Sequence, residues 1–368
     1  MIRLRWLTLF LVAAACLLTM ASAPTQVTGI GSIAPGGEML FPRSGHSATL
    51  LPDGRVLIAG GMRRNQDFYR SAELFDPKTG KFNPTGDMLL PRVGHVAVLL
   101  GSGKVLIAGG WIGQAVTNEA ELYDPATGKF TAVSHMLIAR GRPEATLLRD
   151  GSVLVTGGAD GGGAGTNITS AEIFDVTSLK FRATGTMHQA RIAHTSTLLT
   201  DGRVLIAGGR GSEVSASAEI YDPKTGAFAE TKRMLTARYK HTAGLLPDGR
   251  VLIAGGSDDR DWHGTLSSAE IYDPQRGTFT ATAPLHDARF KLPDEAVQLR
   301  TGLLLVAGGN RHAEMFDGRD GKFAIVPGDM GDARHYMSET LLSDGRVLLA
   351  GGYASSPDAT AQTWIYRP

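Results

Sequence analysis

RSGHSATLLPDGRVLIAGG, Arg43 to Gly61, holds two short apolar runs joined by Asp53-Gly54 and closed by a glycine pair. Asp-Gly accepts the positive backbone angles of a tight hairpin, so the stretch reads as two antiparallel strands. It recurs as PRVGHVAVLLGSGKVLIAGG ending at Gly110, then in forms ending at Gly158, Gly209, Gly256, Gly309 and Gly352. Each copy but the last leads, after a variable insert, into a block of the type SAELFDPKTGKF, which adds a third strand, a turn cluster and a weaker fourth strand. Seven units at intervals of 43 to 53 residues, each a four-stranded sheet that cannot bury both faces alone, must stack on one another. The expected fold is all-β: a seven-bladed β-propeller of four-stranded antiparallel blades.

The ends of the chain complete that reading. Arg3 and Arg5, the apolar run from Leu7 to Leu18 and Ala21-Ser22-Ala23 read as a cleaved secretory signal over residues 1–23, since the run is too short to span a bilayer. A lipoprotein site would use Cys16, but the residues after it are still apolar. Residues 24–368 then form one domain, secreted to an extracellular or periplasmic compartment. Cys16 is the only cysteine, so disulfides contribute nothing to the mature fold. The last unit stops after Thr363-Trp364-Ile365-Tyr366 without a fourth strand, and Gln26 to Ile33 is expected to supply it, closing the ring and covering an open edge. A formal net charge of +1 with acids and bases interspersed gives no footprint for nucleic acid. No further membrane segment follows the leader, and a monomer is expected.

Repeated polar residues separate from the irregular ones. Arg43, Arg92, Arg140, Arg191, Arg238, Arg289 and Arg334 open the units; Glu73, Glu121, Glu172, Glu219, Glu270 and Glu314 stand in the third strands, with Trp364 in the seventh. Such regular spacing reads as buried ion pairs tying strands or neighbouring blades together. Phe or Tyr at 75, 123, 174, 221, 272, 316 and 366 read as core between blades. Counting back fourteen residues from each glycine pair gives His46, His95, Pro143, His194, His241, Asp294 and Met337. Four histidines in different blades suggest a repeated hydrogen bond from imidazole to a neighbouring loop, not a metal site.

The glycine pair after four apolar residues and the later aromatic resemble the kelch-repeat propellers, including exported bacterial kelch-like proteins and the propeller domain of galactose oxidase. The resemblance implies the fold and little about function, since that group includes binding modules, a copper radical oxidase and a sialic-acid epimerase. The oxidase needs a tyrosine crosslinked to a cysteine and a trailing immunoglobulin-like domain. Neither is expected here, so no cofactor and no metal are assigned.

Topology points to the site. Asp-Gly hairpins and DPKTG turns lie on one face, and the variable inserts and connectors on the other, where binding usually resides. Units three, six and seven bring polar residues there: Arg142, Glu144, Asp294, Glu295, His335, Tyr336 and Glu339. Glu144 and Glu295 hold the same counted position and can hydrogen-bond a sugar or act as acid and base. Trp111 and Trp262, with Tyr69, Tyr239 and Phe290, suit stacking on a carbohydrate or anchoring a peptide. Ligand-binding candidates are therefore Trp111, Arg142, Glu144, Trp262, Glu295, His335 and Tyr336, with no catalytic residue assigned. The expected function is a secreted, non-catalytic binding propeller for a glycan or protein partner. The alternative is a carbohydrate-active enzyme, such as a sugar epimerase or mutarotase, working at the axial mouth.

Overall fold

The computed structural model describes residues 29–64, 67–161, 167–354, 356 and 358–368. Among these, seven four-stranded antiparallel sheets follow one another along the chain. Blade one is Ser47–Leu50, Val56–Ala59, Ala72–Asp76 and Lys81–Pro84, paired in that order. The innermost strands touch in the order one to seven and back to one, which closes the ring.

Burial explains the wording of the repeat. The second strands, such as Val56–Ala59, are buried at every position, because each is sandwiched between the sheets of two neighbouring blades. They are therefore continuous apolar runs, without the alternation of a half-exposed sheet. The outer strands, such as Lys81–Pro84, bury only one side chain, here Phe82. Phe82 packs 4.9 Å from Phe75, and the same aromatic couple recurs in blades two to six. Tyr123 of blade two also reaches back to blade one, its hydroxyl 2.9 Å from Thr85 Oγ1. The expectation of a core between blades therefore stands. The glycine pairs serve close approach: a Cβ on Gly60 would meet Arg92 O at 2.7 Å and His95 Cε1 at 2.8 Å, where the next connector crosses over it.

Closure occurs as expected, at a shifted position. Ser32–Pro35 pairs with Thr363–Arg367, setting Ile33 opposite Tyr366, and thus completes blade seven. The expected span of Gln26 to Ile33 begins too early; Gln26 to Thr28 lie outside the described residues, as does the whole expected signal over 1–23. Among the described residues no helix is long and apolar enough to cross a membrane.

Six of the seven arginines are buried ion-pair partners. Arg43–Glu73, Arg92–Glu121, Arg140–Glu172, Arg191–Glu219, Arg238–Glu270 and Arg289–Glu314 are 2.5 to 3.0 Å apart and excluded from water. Each pair lies within one blade, joining the connector that enters the inner strand to the third strand, so the ties are not between blades. Arg334 is the exception. With Trp364 in the glutamate position it is half-buried and lies 5.0 Å over the indole ring.

Candidate functional site at the axial mouth

A cavity of about 480 Å³ opens at the axis on the face of inserts and connectors. Trp111, Arg142, Glu144, Glu295 and Tyr336 all line it, so five of the seven candidates from blades two, three, six and seven meet there. Asp294 and Glu339 join them.

The carboxyls are set by two local irregularities. Glu144 opens the inner strand of blade three opposite Thr156, taking the place of Ser47 or Thr195 in regular blades. Blade six departs further. Its arginine lies 19 residues before its glycine pair against 17 elsewhere, and the extra length lets Leu292, not Asp294, fill the histidine position beneath Gly255. The inner strand shrinks to Val297–Gln298. The segment before it turns to blade five, where Ala243 N donates to Asp294 O at 3.2 Å and Ala296 N to Ala243 O at 2.9 Å. Glu144 and Glu295 are thus equivalent by count but not in structure. The amide left unpaired on Ala307 is capped from blade seven by Glu339 Oε1 at 2.9 Å.

These side chains meet across the axis. Glu144 and Asp294 are near enough for the charge of one to act on the other, with Arg142 Nη2 4.0 Å from Asp294 Oδ1. Burial, then the negative charge of Asp294, holds Glu144 well above the usual carboxyl range. Burial likewise raises Asp294 and Glu295, although Glu295 stands open to the water of the well, and it pushes Glu339 up to about 8. Asp294 Oδ1 and Glu339 Oε2 are shielded without a hydrogen-bond partner. The well therefore offers carboxyls in mixed protonation states, able to donate and to accept, beside one guanidinium. Trp111 supplies an apolar wall; its indole lies directly against Gly141, where any side chain would collide with Nε1.

Trp262 and His335 lie elsewhere. Trp262, on a 3-10 turn over Asp261–His263, is 49% exposed and stacks edge-on with Phe290 at 4.8 Å and His335 at 5.0 Å. His335 is buried under it, its ring Nδ1 3.3 Å from Phe290 O, and burial lowers it to about 4, which keeps it neutral. At the centre of this cluster is Lys291, which sequence reasoning passed over. It is 6% exposed, with Nζ 3.7 Å from the Trp262 ring centroid and 2.8 Å from Tyr353 Oη. Burial, then the neighbouring Lys240, lowers it to about 8. Tyr239 and Phe290, expected to face solvent, are buried.

The repeated histidines are structural. His46, His95, His194 and His241 donate to or accept from Ser338, Ser47, Thr156 and Thr195 at 2.9 to 3.1 Å, on strands of the preceding blade, not on a loop as expected. Burial holds His46 and His95 down to about 3. Where Leu292 replaces the imidazole, Thr242 Oγ1 is left buried without a partner.

The kelch motif matches residues 42–89, 91–137 and 238–286. None of the curated proteins matches this sequence. Among solved structures, a fungal alcohol oxidase of the AA5 family in complex with copper is similar, with a TM-score of 0.74 at 18% identity over 92% of this chain and 76% of that one. At that identity the likeness concerns the fold. Among the described residues no three of His, Cys, Asp or Glu converge to hold a metal, and the four equivalent histidines are spread around the ring with hydroxyl partners, so the residues present do not fit a copper centre. The chain is a seven-bladed β-propeller with kelch motifs in three of its blades, and its fold is similar to that of the AA5-family alcohol oxidase.

Proposed function

We propose that this is a secreted binding propeller that takes a carbohydrate into the axial well without changing it chemically. The observation that carries the reading is the well itself: about 480 Å³, lined by Trp111 on one side and by Glu144, Asp294, Glu295, Glu339 and Arg142 on the other. A sugar presents an apolar ring face and a rim of hydroxyls, and such a ligand matches a wall of this kind. Shielded carboxyl oxygens without partners, Asp294 Oδ1 and Glu339 Oε2, are groups that sugar hydroxyls, which both donate and accept, would satisfy. A flat protein epitope would leave them unsatisfied. Export rests on the basic and apolar opening of the sequence alone.

One observation favours a second reading, an enzyme acting on a sugar. Glu144 and Asp294 both line the well, and burial with the Asp294 charge raises Glu144 well above the usual carboxyl range, as a general acid requires. A glycan array followed by titration calorimetry separates the two. In a binding protein, Trp111→Ala and Glu144→Gln each weaken affinity about tenfold or more, and NMR detects no change in the sugar. Conversion of the ligand by the wild type, lost in Glu144→Gln with affinity kept, would establish the enzyme. Absence of any glycan ligand would remove both.

A further inference from the structure

Seven equivalent residues stand at the same place in their blades around the axis, and four of them, Gly45, Gly94, Arg142 and Tyr336, line the well, the others being Ala193, Lys240 and Lys291. Each follows its ring arginine by two positions, and all have φ between 50° and 61°. The conformation is imposed by the ring. Gly45 N donates to Tyr336 O at 2.9 Å, Gly94 N to Gly45 O at 3.0 Å, Arg142 N to Gly94 O at 2.9 Å, Lys240 N to Ala193 O at 3.0 Å and Tyr336 N to Lys291 O at 2.8 Å. Glycine adopts this left-handed region freely and other residues do so at a cost, which folded proteins concentrate at functional sites. Blades one and two use glycine. Blades three, five, six and seven bear the strain in order to carry long side chains.

Two of the four have local partners: Lys240 Nζ binds Asp261 at 2.8 Å and Lys291 lies under Trp262. The other two meet each other. The Arg142 guanidinium lies 4.3 Å from the centroid of the Tyr336 ring, joining blade three to blade seven. The arginine stem leans over blade two, in space that only a glycine at 94 leaves free, since a Cβ there would meet Arg142 Cγ at 2.7 Å. Both residues precede the inner strands that carry Glu144 and Glu339, so the stack crosses the mouth above the carboxyls.

Resting on the carbohydrate reading, we propose that the Arg142–Tyr336 stack determines specificity: it is a bar across the entrance that admits an unbranched terminal sugar ring and excludes branched or bulkily substituted ones. Glycine at either position restores what blades one and two already have, removing the bar and relieving the strain together. Because the stack needs both side chains, Arg142→Gly or Tyr336→Gly alone reads it, and Ala193→Gly is a control at a ring position away from the well. The expected result on a glycan array is that branched and substituted glycans rejected by the wild type gain about fivefold or more in signal in either variant and not in the control. Melting temperatures should stay level or rise. An unchanged profile in both variants, loss of all binding with the fold intact, or a fall in melting temperature of more than about 5 °C in both would each overturn the proposal. If the wild type captures no glycan, the underlying carbohydrate reading fails, and this proposal with it.

Discussion

Replacing Arg238 with methionine tests the repeated ion pair where it has no substitute. The guanidinium is 0% exposed and donates to Gly255 O at 2.6 Å, Ser268 O at 2.9 Å, Ser268 Oγ at 3.1 Å and Glu270 Oε1 at 3.0 Å. Methionine fills much of the volume but strands the Glu270 carboxylate, held then only by the amides of Leu235 at 2.7 Å and Thr236 at 3.4 Å. Breaking a buried pair by removing one partner costs about 3–5 kcal/mol; the Gly255 carbonyl, which loses its donor, adds up to about 1 kcal/mol unless water reaches it, while Ser268 O keeps the amide of Gly255 at 3.2 Å. A loss of about 4 kcal/mol in urea unfolding, with the slope of the transition unchanged, is the expected outcome. Adding Glu270→Gln to the variant removes the stranded charge while an amide oxygen still accepts from Leu235, and should recover about half of the loss. Arg334→Met is the internal comparison: half-buried, without a carboxylate, bonded to Met330 O at 3.2 Å and Gln362 Oε1 at 3.3 Å, it should cost about 1 kcal/mol or less. A loss below about 1 kcal/mol for Arg238→Met, or equal losses at 238 and 334, would refute the assignment of stability to the buried pairs.

Glu339→Gln addresses the pH dependence. The folded chain keeps the Glu339 proton up to about 8 against an ordinary value of 4.5, so within that window the unfolded chain binds fewer protons and folding stability falls as pH rises. Glutamine removes this slope, and the gain of the variant over wild type should grow by on the order of 4 kcal/mol between pH 4.5 and 8, read by denaturant unfolding at each pH; a constant difference would place the carboxyl in free solvent. Removing residues 24–40 takes away the strand Ser32–Pro35 and the buried Ile33 and Met39, opening blade seven. Thermal melts should show a transition lowered by more than about 10 °C or lost, whereas an unchanged melt would contradict closure by this strand.

The fold was legible because each blade repeats the physical requirement that shapes it. Asp-Gly marks the hairpin, the buried second strand is apolar throughout, the glycine pair marks where the next connector crosses, and Arg238 with Glu270 shows how a charge pair at fixed spacing survives burial. Arg334 stands apart from the others because Trp364, in the glutamate position, gives it a cation–π contact and no carboxylate. Four of the residues that line the well, Arg142, Glu144, Glu295 and Tyr336, were legible as departures from the repeat, and Trp111 as an aromatic in a variable insert, since a position that breaks a structural rule is free to serve another purpose. What escaped was geometry that no count along the chain reveals. Two extra residues in blade six moved Leu292 into the histidine position and released Asp294 to the axis. The contacts of Arg142 with Asp294 and Tyr336 join residues that only ring closure brings together. The left-handed ring had a trace in the sequence, Gly45 and Gly94 two residues after an arginine, but its meaning depends on the backbone bonds around the axis.

A crystal structure of the protein with the strongest ligand from the array tests the central claim most directly. That ligand should sit in the axial well, in contact with Trp111 and within hydrogen-bond distance of Glu144, Asp294 or Glu339. A ligand seated instead on the Asp-Gly face, or on the outer inserts such as the turn around Trp262, with the well left empty, would contradict that claim.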